Sequence, residues 1–292
     1  GRYTSLTGLR YLKESGGKRE YTEIDRSVFK PGDKVALMVH GFTSDTSWMK
    51  NDLAGILQDK VGAAYDHFIT WDYETFGTPV KETAEDLANA LRQKCGFGPD
   101  DEMTLHVYAH SMGSIVSRTM IELKGGHEFV DGLVIAGPPN RGTTLATVGM
   151  GGVYGLTTLL NSYNLVPPVA AVNWGIKQIY GNALGPADLK VDSELLREIN
   201  GLQEPANVPY LVIAGRNVPT EKQTRLAQKI LDKTLDTIFG EDNDVVIGLS
   251  SLREVRGGGY PKLRVLEVPC DHFVYYGLPE VQAEIKDWLA TL

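Results

Sequence analysis

MTLHVYAHSMGSIVSRTMIEL, residues 103–123, decides how this 292-residue chain folds. Its first nine residues, Met103 to Ser111, form a short apolar run bounded by polar sequence, the pattern of a buried strand. From Met112 the period changes: Ile115, Val116, Met120 and Ile121 recur at helical spacing, which predicts a helix packed on a sheet. Ser111 falls on the junction.

The same alternation extends outward on both sides. KVALMVHG (34–41), set between PGD and a glycine turn, reads as a strand buried on both faces, and DHFITWDY (66–73) as the next strand. Between that strand and residue 103, Ala84, Leu87, Ala88 and Leu91 stand at helical spacing in a segment that opens after Pro79 and stops near Gly96. Downstream, GLVIAG (132–137), VPYLVIAG (208–215) and KLRVLEV (262–268) are further strands, and PEVQAEIKDWLATL (279–292) is an amphipathic closing helix. This order predicts one α/β domain over residues 1–292, built on a doubly wound, mostly parallel sheet with right-handed crossovers. Reacting groups in such a sheet are expected at the carboxyl ends of the strands.

Composition narrows the partners. Hydrophobic residues are 42% and charged residues 23%, ordinary for a globular chain with a sizeable core. A net charge of −8, with Lys and Arg scattered, argues against nucleic acid and anionic lipid as partners. No run approaches a membrane span, and the N-terminal residues lack a signal-peptide core. The chain is therefore expected to be soluble, its compartment open. It begins at Gly1 without Met, which leaves room for partner domains in a longer protein. Cys95 and Cys270 are two free thiols or one bridge.

Ala109-His110-Ser111-Met112-Gly113 is a variant of the G-x-S-x-G turn, with Ala at the first small position. The demand is steric: a serine held on a sharp strand-to-helix turn needs small residues two before and two after it. Alone, the pattern would arise by chance in roughly one such chain in four, so its position at a strand-to-helix junction is what gives it weight. A serine hydroxyl needs a base. Of six histidines, His40 and His110 flank the expected site loops, His106 is mid-strand, and His67 and His127 sit at strand-entry ends. His272 follows the last strand and precedes the closing helix, where a loop from the carboxyl edge brings a general base to Ser111. The acid that orients it must lie between them in the chain order serine, acid, histidine. GEDNDVVIGLSSL (240–252) offers Asp244, directly before the apolar run, and Asp242; Glu221 and Asp271 are weaker candidates.

Such chemistry also needs donors for an oxyanion, supplied here by backbone amides. Met112, next after the serine, is one; Phe42, after the His40-Gly41 turn that ends its strand, is the other. Residues 143–207 contain an apolar stretch broken by Gly, Asn and Pro. It is expected to form short helices that cap Ser111 and present Val153, Leu156, Leu159, Leu160, Trp174 and Ile176 to an acyl group, with an oligomer interface as the competing reading. Trp174, His40 and Gly41 are the expected substrate contacts. No phosphate-binding glycine motif and no zinc spacing occurs, so neither cofactor nor metal is expected.

Together these segments carry a family likeness. AHSMG resembles the serine turn of bacterial lipases, which commonly have Ala before His-Ser. AGPPNRGT (136–143) resembles their G-T-P-x-x-G-[ST] segment, DSELLREIN (192–200) the segment before the next strand, and NDVVIGLSS (243–251) their acid loop. The resemblance covers most of the chain from Lys34 to Leu292. It implies an α/β-hydrolase fold with a helical lid, related to bacterial lipases and esterases and to acyl-hydrolases that remodel lipid anchors. It also favours Asp244 over Asp242. Ser114 stands where relatives often have a second Gly, and AGPPN replaces T-P-H. Some relatives bind calcium near the histidine loop; only Asp271 is available here. The expected activity is carboxylic ester hydrolysis through an acyl-enzyme on Ser111, with a small-molecule or lipid acyl ester as substrate. The alternatives are a catalytically silent binding or scaffold domain, or an acyltransferase or thioesterase using the same residues.

Overall fold

The computed structural model describes residues 7–16, 18–42, 50–75, 77–147, 187–216, 240–244, 246–272 and 274–292. Trp174 and the other expected acyl contacts of the cap, and Glu221, lie outside the described residues.

Eight strands form one sheet: β1 (Gly8–Ser15), β2 (Lys18–Thr22), β3 (Lys34–Val39), β4 (His67–Asp72), β5 (Thr104–His110), β6 (Gly132–Ala136), β7 (Tyr210–Gly215) and β8 (Leu263–Val268). Their order is β2-β1-β4-β3-β5-β6-β7-β8. From β4 to β8 all pairings are parallel, whereas β1 runs antiparallel to both its neighbours.

The inner strands alternate between two cores. Val35, Leu37 and Val39 of β3, Leu105, Val107 and Ala109 of β5, and Leu133 and Ile135 of β6 face one layer. Helices α2 (Val80–Ala90), α3 (Met112–Leu123) and α5 (Glu194–Gly201) cover it, after the one-turn α4 (Thr144–Thr147). Ala36, Met38, Tyr108, Val134, Leu211 and Ile213 face the other layer. Ile56 of α1 (Lys50–Leu57), and Val281, Ile285 and Trp288 of α7 (Pro279–Leu289), fill that side. Both faces of these strands are therefore buried, which explains why they read as continuous apolar runs instead of alternating ones.

The expected strands and helices differ from the observed ones by a few terminal residues. The helix read as stopping near Gly96 leaves α-geometry at Leu91 for a wider turn through Cys95, which Gly96 ends with a left-handed φ of 88°. Cys95 lies in the α2–α3 core and Cys270 in the α7 core, on opposite faces of the sheet, and no disulfide joins them. The described end of the 143–207 segment does not stand apart from the domain: Leu189, Leu195, Leu196 and Ile199 join the main core. Among the described residues no helix is long and apolar enough to cross a membrane.

Chain order places a crevice between β3 and β5. The connection from β3 leads to β4 on one side, and the one from β5 leads to β6 on the other, so the loops leaving their carboxyl ends diverge. This is the switch point at which doubly wound sheets hold ligands.

Candidate active site

Ser111 sits at that switch point. Its φ of 51° and ψ of −124° lie outside the regions open to ordinary residues, a strain of the order of 1–3 kcal/mol that surrounding contacts must hold. They do so from several sides. The Ser111 amide donates to the Ala136 carbonyl at the end of β6 (2.9 Å). Tyr276 donates its hydroxyl to the carbonyls of Ala109 (2.7 Å) and Val134 (3.1 Å), tying β5 to β6 just before the turn. Gly113 has no room for a side chain: a Cβ there would fall 2.3 Å from the His40 carbonyl oxygen and 2.6 Å from that of Val39. Gly41 is equally constrained, since its Cβ would lie 2.9 Å from the Ser111 Cβ and 3.0 Å from His110 Nδ1. The small residues of both turns thus let the end of β3 come into contact with the serine.

Asp244 lies in the loop after β7 and is fully buried. Its Oδ1 accepts the amides of Val246 (3.1 Å) and Ile247 (2.8 Å). Its Oδ2 accepts His272 Nδ1–H (2.5 Å) and the Tyr275 hydroxyl (2.6 Å). Burial would raise the carboxyl's pKa; the His272 charge and these donors outweigh it and hold it below the ordinary carboxylate range. The backbone repeats the pairing, because the His272 amide donates to the Asp244 carbonyl (2.9 Å).

The His272 carbonyl accepts His110 Nε2–H (2.7 Å), and the two rings lie 4.8 Å apart. Gly137, at the end of β6 with φ of 60°, faces the imidazole: a Cβ there would come within 2.9 Å of His272 Cε1 and Nδ1. Ser111, Asp244 and His272 thus stand on loops from the same sheet edge, on the ends of β5, β7 and β8. Asp242, two residues from Asp244, points elsewhere: it is exposed and pairs with Arg216, whose Nε lies 2.9 Å away.

Met112 opens α3, so no earlier turn of the helix can satisfy its amide. Phe42 follows Gly41 and is half-buried against the α2–α3 core. His40, expected to touch substrate, is 1% exposed. Its Nδ1–H donates to the Gly41 carbonyl (2.7 Å), its Nε2 accepts the Tyr73 amide (3.2 Å), and its ring stacks on Tyr73 at 4.4 Å. His40 therefore shapes the turn from beneath. The remaining histidines are away from the serine: His67 bridges Asp33 and Tyr11 at the start of β4, and His127 bonds the Ile121 carbonyl. Among the described residues no group of three or more His, Cys, Asp or Glu side chains is placed to hold a metal.

Sequence reading passed over Tyr275, Gly137 and Gly215. No local signal marks them, since each matters only for what the fold brings against it.

Burial also sets an acid limit on the fold. His106 is pushed down to about 4 by burial and by Lys34, and His110 to about 3 by burial and then by His272, against an ordinary value of about 6.5. Both folded values lie below the unfolded one, so the unfolded chain binds more protons between them. The stability they permit is complete above pH 6.5 and falls as the pH drops through that window. Unfolding in urea is expected to show a free energy about 4 kcal/mol lower at pH 5 than at pH 7.5. A change under 1 kcal/mol would contradict the buried neutral imidazoles.

The sheet order and the placing of the serine turn are those of an α/β-hydrolase fold of the kind found in lipases and esterases. The chain belongs to the family described as a domain of unknown function, DUF7379, whose model matches residues 6–290. Solved structures with similar folds include the mature form of a Bacillus licheniformis lipase, 16% identical with a TM-score of 0.56 over 90% of this chain and 93% of that one. The chain spans 51% of the propeptide form of that lipase. Lipase 1 from Pelosinus fermentans is 14% identical with a TM-score of 0.58, over 89% of this chain and 99% of its own. A Pyrococcus furiosus esterase is 12% identical with a TM-score of 0.54, over 89% and 82%. No curated protein matches the sequence.

Proposed function

We propose that the protein hydrolyses carboxylic esters through an acyl-enzyme on Ser111. The observation that carries this reading is the fully buried Asp244 bonded through Oδ2 to His272 Nδ1, on the same sheet edge as a serine held at φ 51°. With Nδ1–H committed to the carboxylate, Nε2 is the ring nitrogen that carries the lone pair and serves as base. A surface aspartate and a loop histidine have no physical reason to be desolvated together, since burial of the pair costs free energy unless their geometry is used or fully compensated.

In the proposed cycle the Ser111 hydroxyl oxygen bonds to the ester carbonyl carbon while its proton passes to His272 Nε2. The carbonyl oxygen takes the negative charge and is held by the Met112 and Phe42 amides. Collapse of this intermediate breaks the bond to the leaving alkoxide, which takes the proton from His272. Water then repeats the sequence on the acyl-serine, returning Ser111 and releasing the acid. Asp244 keeps its charge throughout and stabilises the imidazolium. Residues 143–207 are proposed to cap this site, with Trp174 among the acyl contacts. That the similar structures are called lipases and esterases supports an ester as substrate, and a series of nitrophenyl esters of increasing acyl length would rank the preferred chain.

A fluorophosphonate probe tests the reaction directly. The native chain is expected to be labelled, with the adduct on the tryptic peptide that contains Ser111. Absence of labelling under conditions that label an ordinary esterase, or an adduct on another serine, would defeat the proposal and favour a catalytically silent domain.

A further inference from the structure

We infer that Tyr275 is a positioning residue for the reaction, its hydroxyl setting how much of the Asp244 charge reaches His272; this rests on the catalytic reading of Ser111, Asp244 and His272 given above. The Tyr275 side chain is fully enclosed. Its hydroxyl accepts the Gly215 amide (2.9 Å) and donates to Asp244 Oδ2 (2.6 Å). Oδ2 is the oxygen that also takes His272 Nδ1–H. Two donors therefore compete for one carboxylate oxygen, and accepting the Gly215 amide makes the tyrosine the stronger donor of the two-bond chain. The arrangement is built in: Gly215 is the last residue of β7, and a Cβ there would lie 2.5 Å from the Tyr275 hydroxyl and 2.9 Å from the Asp244 Cβ. Oδ1 is already occupied by two backbone amides, so Oδ2 is where the charge available to the imidazolium is decided.

Other ionisable groups face the pair. His110 lies 4.8 Å from the His272 ring and 6.2 Å from the Tyr275 ring, and burial keeps it neutral, its pKa pushed down to about 3. His40 acts on this region through His110, and Cys270 faces Tyr275. Asp271 adjoins His272 in sequence, and Asp242 is committed to Arg216. Burial first and Asp244 second hold the Tyr275 hydroxyl protonated, well above its ordinary value. Over pH 5 to 9 the tyrosine is thus a fixed donor.

Removing that donor leaves Oδ2 to His272 alone, so the carboxylate holds the imidazolium more tightly and the base is freed only at higher pH. Strengthening the donor does the reverse. The test compares the native chain, Tyr275→Phe and Tyr275→3-fluorotyrosine, whose hydroxyl is the more acidic, using kcat/KM for a short-chain nitrophenyl ester from pH 4.5 to 9. The pH of half-maximal activity is expected to rise by roughly half to one unit in Tyr275→Phe and to fall by a few tenths in the fluorotyrosine protein. The plateau of Tyr275→Phe is expected to drop about tenfold, because the carboxylate is less firmly oriented. A role confined to packing would move neither midpoint and would give no opposite shifts. Superimposable profiles would overturn the inference.

The low-field NMR signal of the His272 Nδ1 proton at pH 5, assigned by its loss in His272→Ala, reads the same bond without turnover. It should move downfield in Tyr275→Phe and upfield with fluorotyrosine; an unmoved signal overturns the inference even if no ester is hydrolysed and the catalytic reading itself has failed. Should Tyr275→Phe not fold, the direction seen in the fluorotyrosine protein decides.

Discussion

Ser111→Ala is expected to lower kcat for a nitrophenyl ester roughly 10⁶-fold, and His272→Ala to do the same, while the double variant is no worse than either. In the proposed cycle the residues act as a unit: without the hydroxyl there is no proton for His272 to take, and without the imidazole there is no base. Residual turnover of about 10³-fold or more over water is expected from the oxyanion donors and binding alone. Asp244→Asn should cost about 10⁴-fold, and the geometry gives the reason. The carboxylate accepts four donors, two on each oxygen. An amide has one oxygen. If it serves the Val246 and Ile247 amides, an NH₂ group confronts His272 Nδ1–H and the Tyr275 hydroxyl, and the imidazole is driven to the wrong tautomer. If it serves His272, the NH₂ confronts two backbone amides. Asp242→Asn is the control: that side chain is exposed and bonded to Arg216, and activity within twofold of native is expected. Steady-state rates, with thermal unfolding to confirm that each variant folds, measure the series. Equal losses at positions 242 and 244 would remove Asp244 from its role.

The parallel strands were legible because burial on both faces leaves only one reading for a run such as Val35–Val39, all of it inaccessible. The places of the proposed site residues in the fold were legible for a related reason. In a doubly wound sheet the carboxyl end of a strand is a known place, so a serine at the end of one apolar run and a histidine after another are located by counting runs. The hairpin of β1 and β2 was not legible. Its buried residues, Leu9 and Leu12, are three apart, a spacing that violates the two-residue period of a strand, and the rest of the hairpin is polar or charged sequence at the sheet edge. The cysteines could not be resolved by spacing either, because only the fold assigns Cys95 and Cys270 to opposite faces. His40 shows the opposite error. Its position beside the expected crevice suggested substrate, whereas both of its nitrogens are taken by the backbone. Position along a strand end says where a side chain starts and nothing about which way it turns.

Arg118→Ala is expected to destabilise the protein by about 3–5 kcal/mol, a large part of the 5–15 kcal/mol that holds a typical domain. Arg118 lies two turns into α3 and is completely buried, paired through Nε with Glu122 Oε1 (2.9 Å), itself inaccessible. Nη1 donates to Asn140 Oδ1 (3.1 Å) in the loop after β6, and Nη2 to Asn200 Oδ1 (3.0 Å) at the end of α5. Asn140 passes the link on to the Leu252 carbonyl (2.9 Å) of α6 (Leu249–Arg253), and Asn200 returns to the Asn140 carbonyl (2.8 Å). One guanidinium thus joins the helix that follows Ser111 to three other segments, one of which starts at Gly137 against His272. Removing it leaves the Glu122 carboxylate buried with only the Tyr210 hydroxyl (3.1 Å) as a described donor, and Glu122 Oε2 has no partner among the described residues even before the change. The cost therefore comes from the stranded charge more than from the lost bonds. The double variant Arg118→Met with Glu122→Leu should recover most of the loss, since a buried pair replaced by apolar groups of similar volume is often neutral. Arg118→Lys should not, because an ammonium cannot serve Glu122, Asn140 and Asn200 from one plane. Urea unfolding of these three variants and of Arg118→Met alone decides. A single variant within 1 kcal/mol of native, or a double variant no better than Arg118→Met alone, would mean that the network is not what binds these segments.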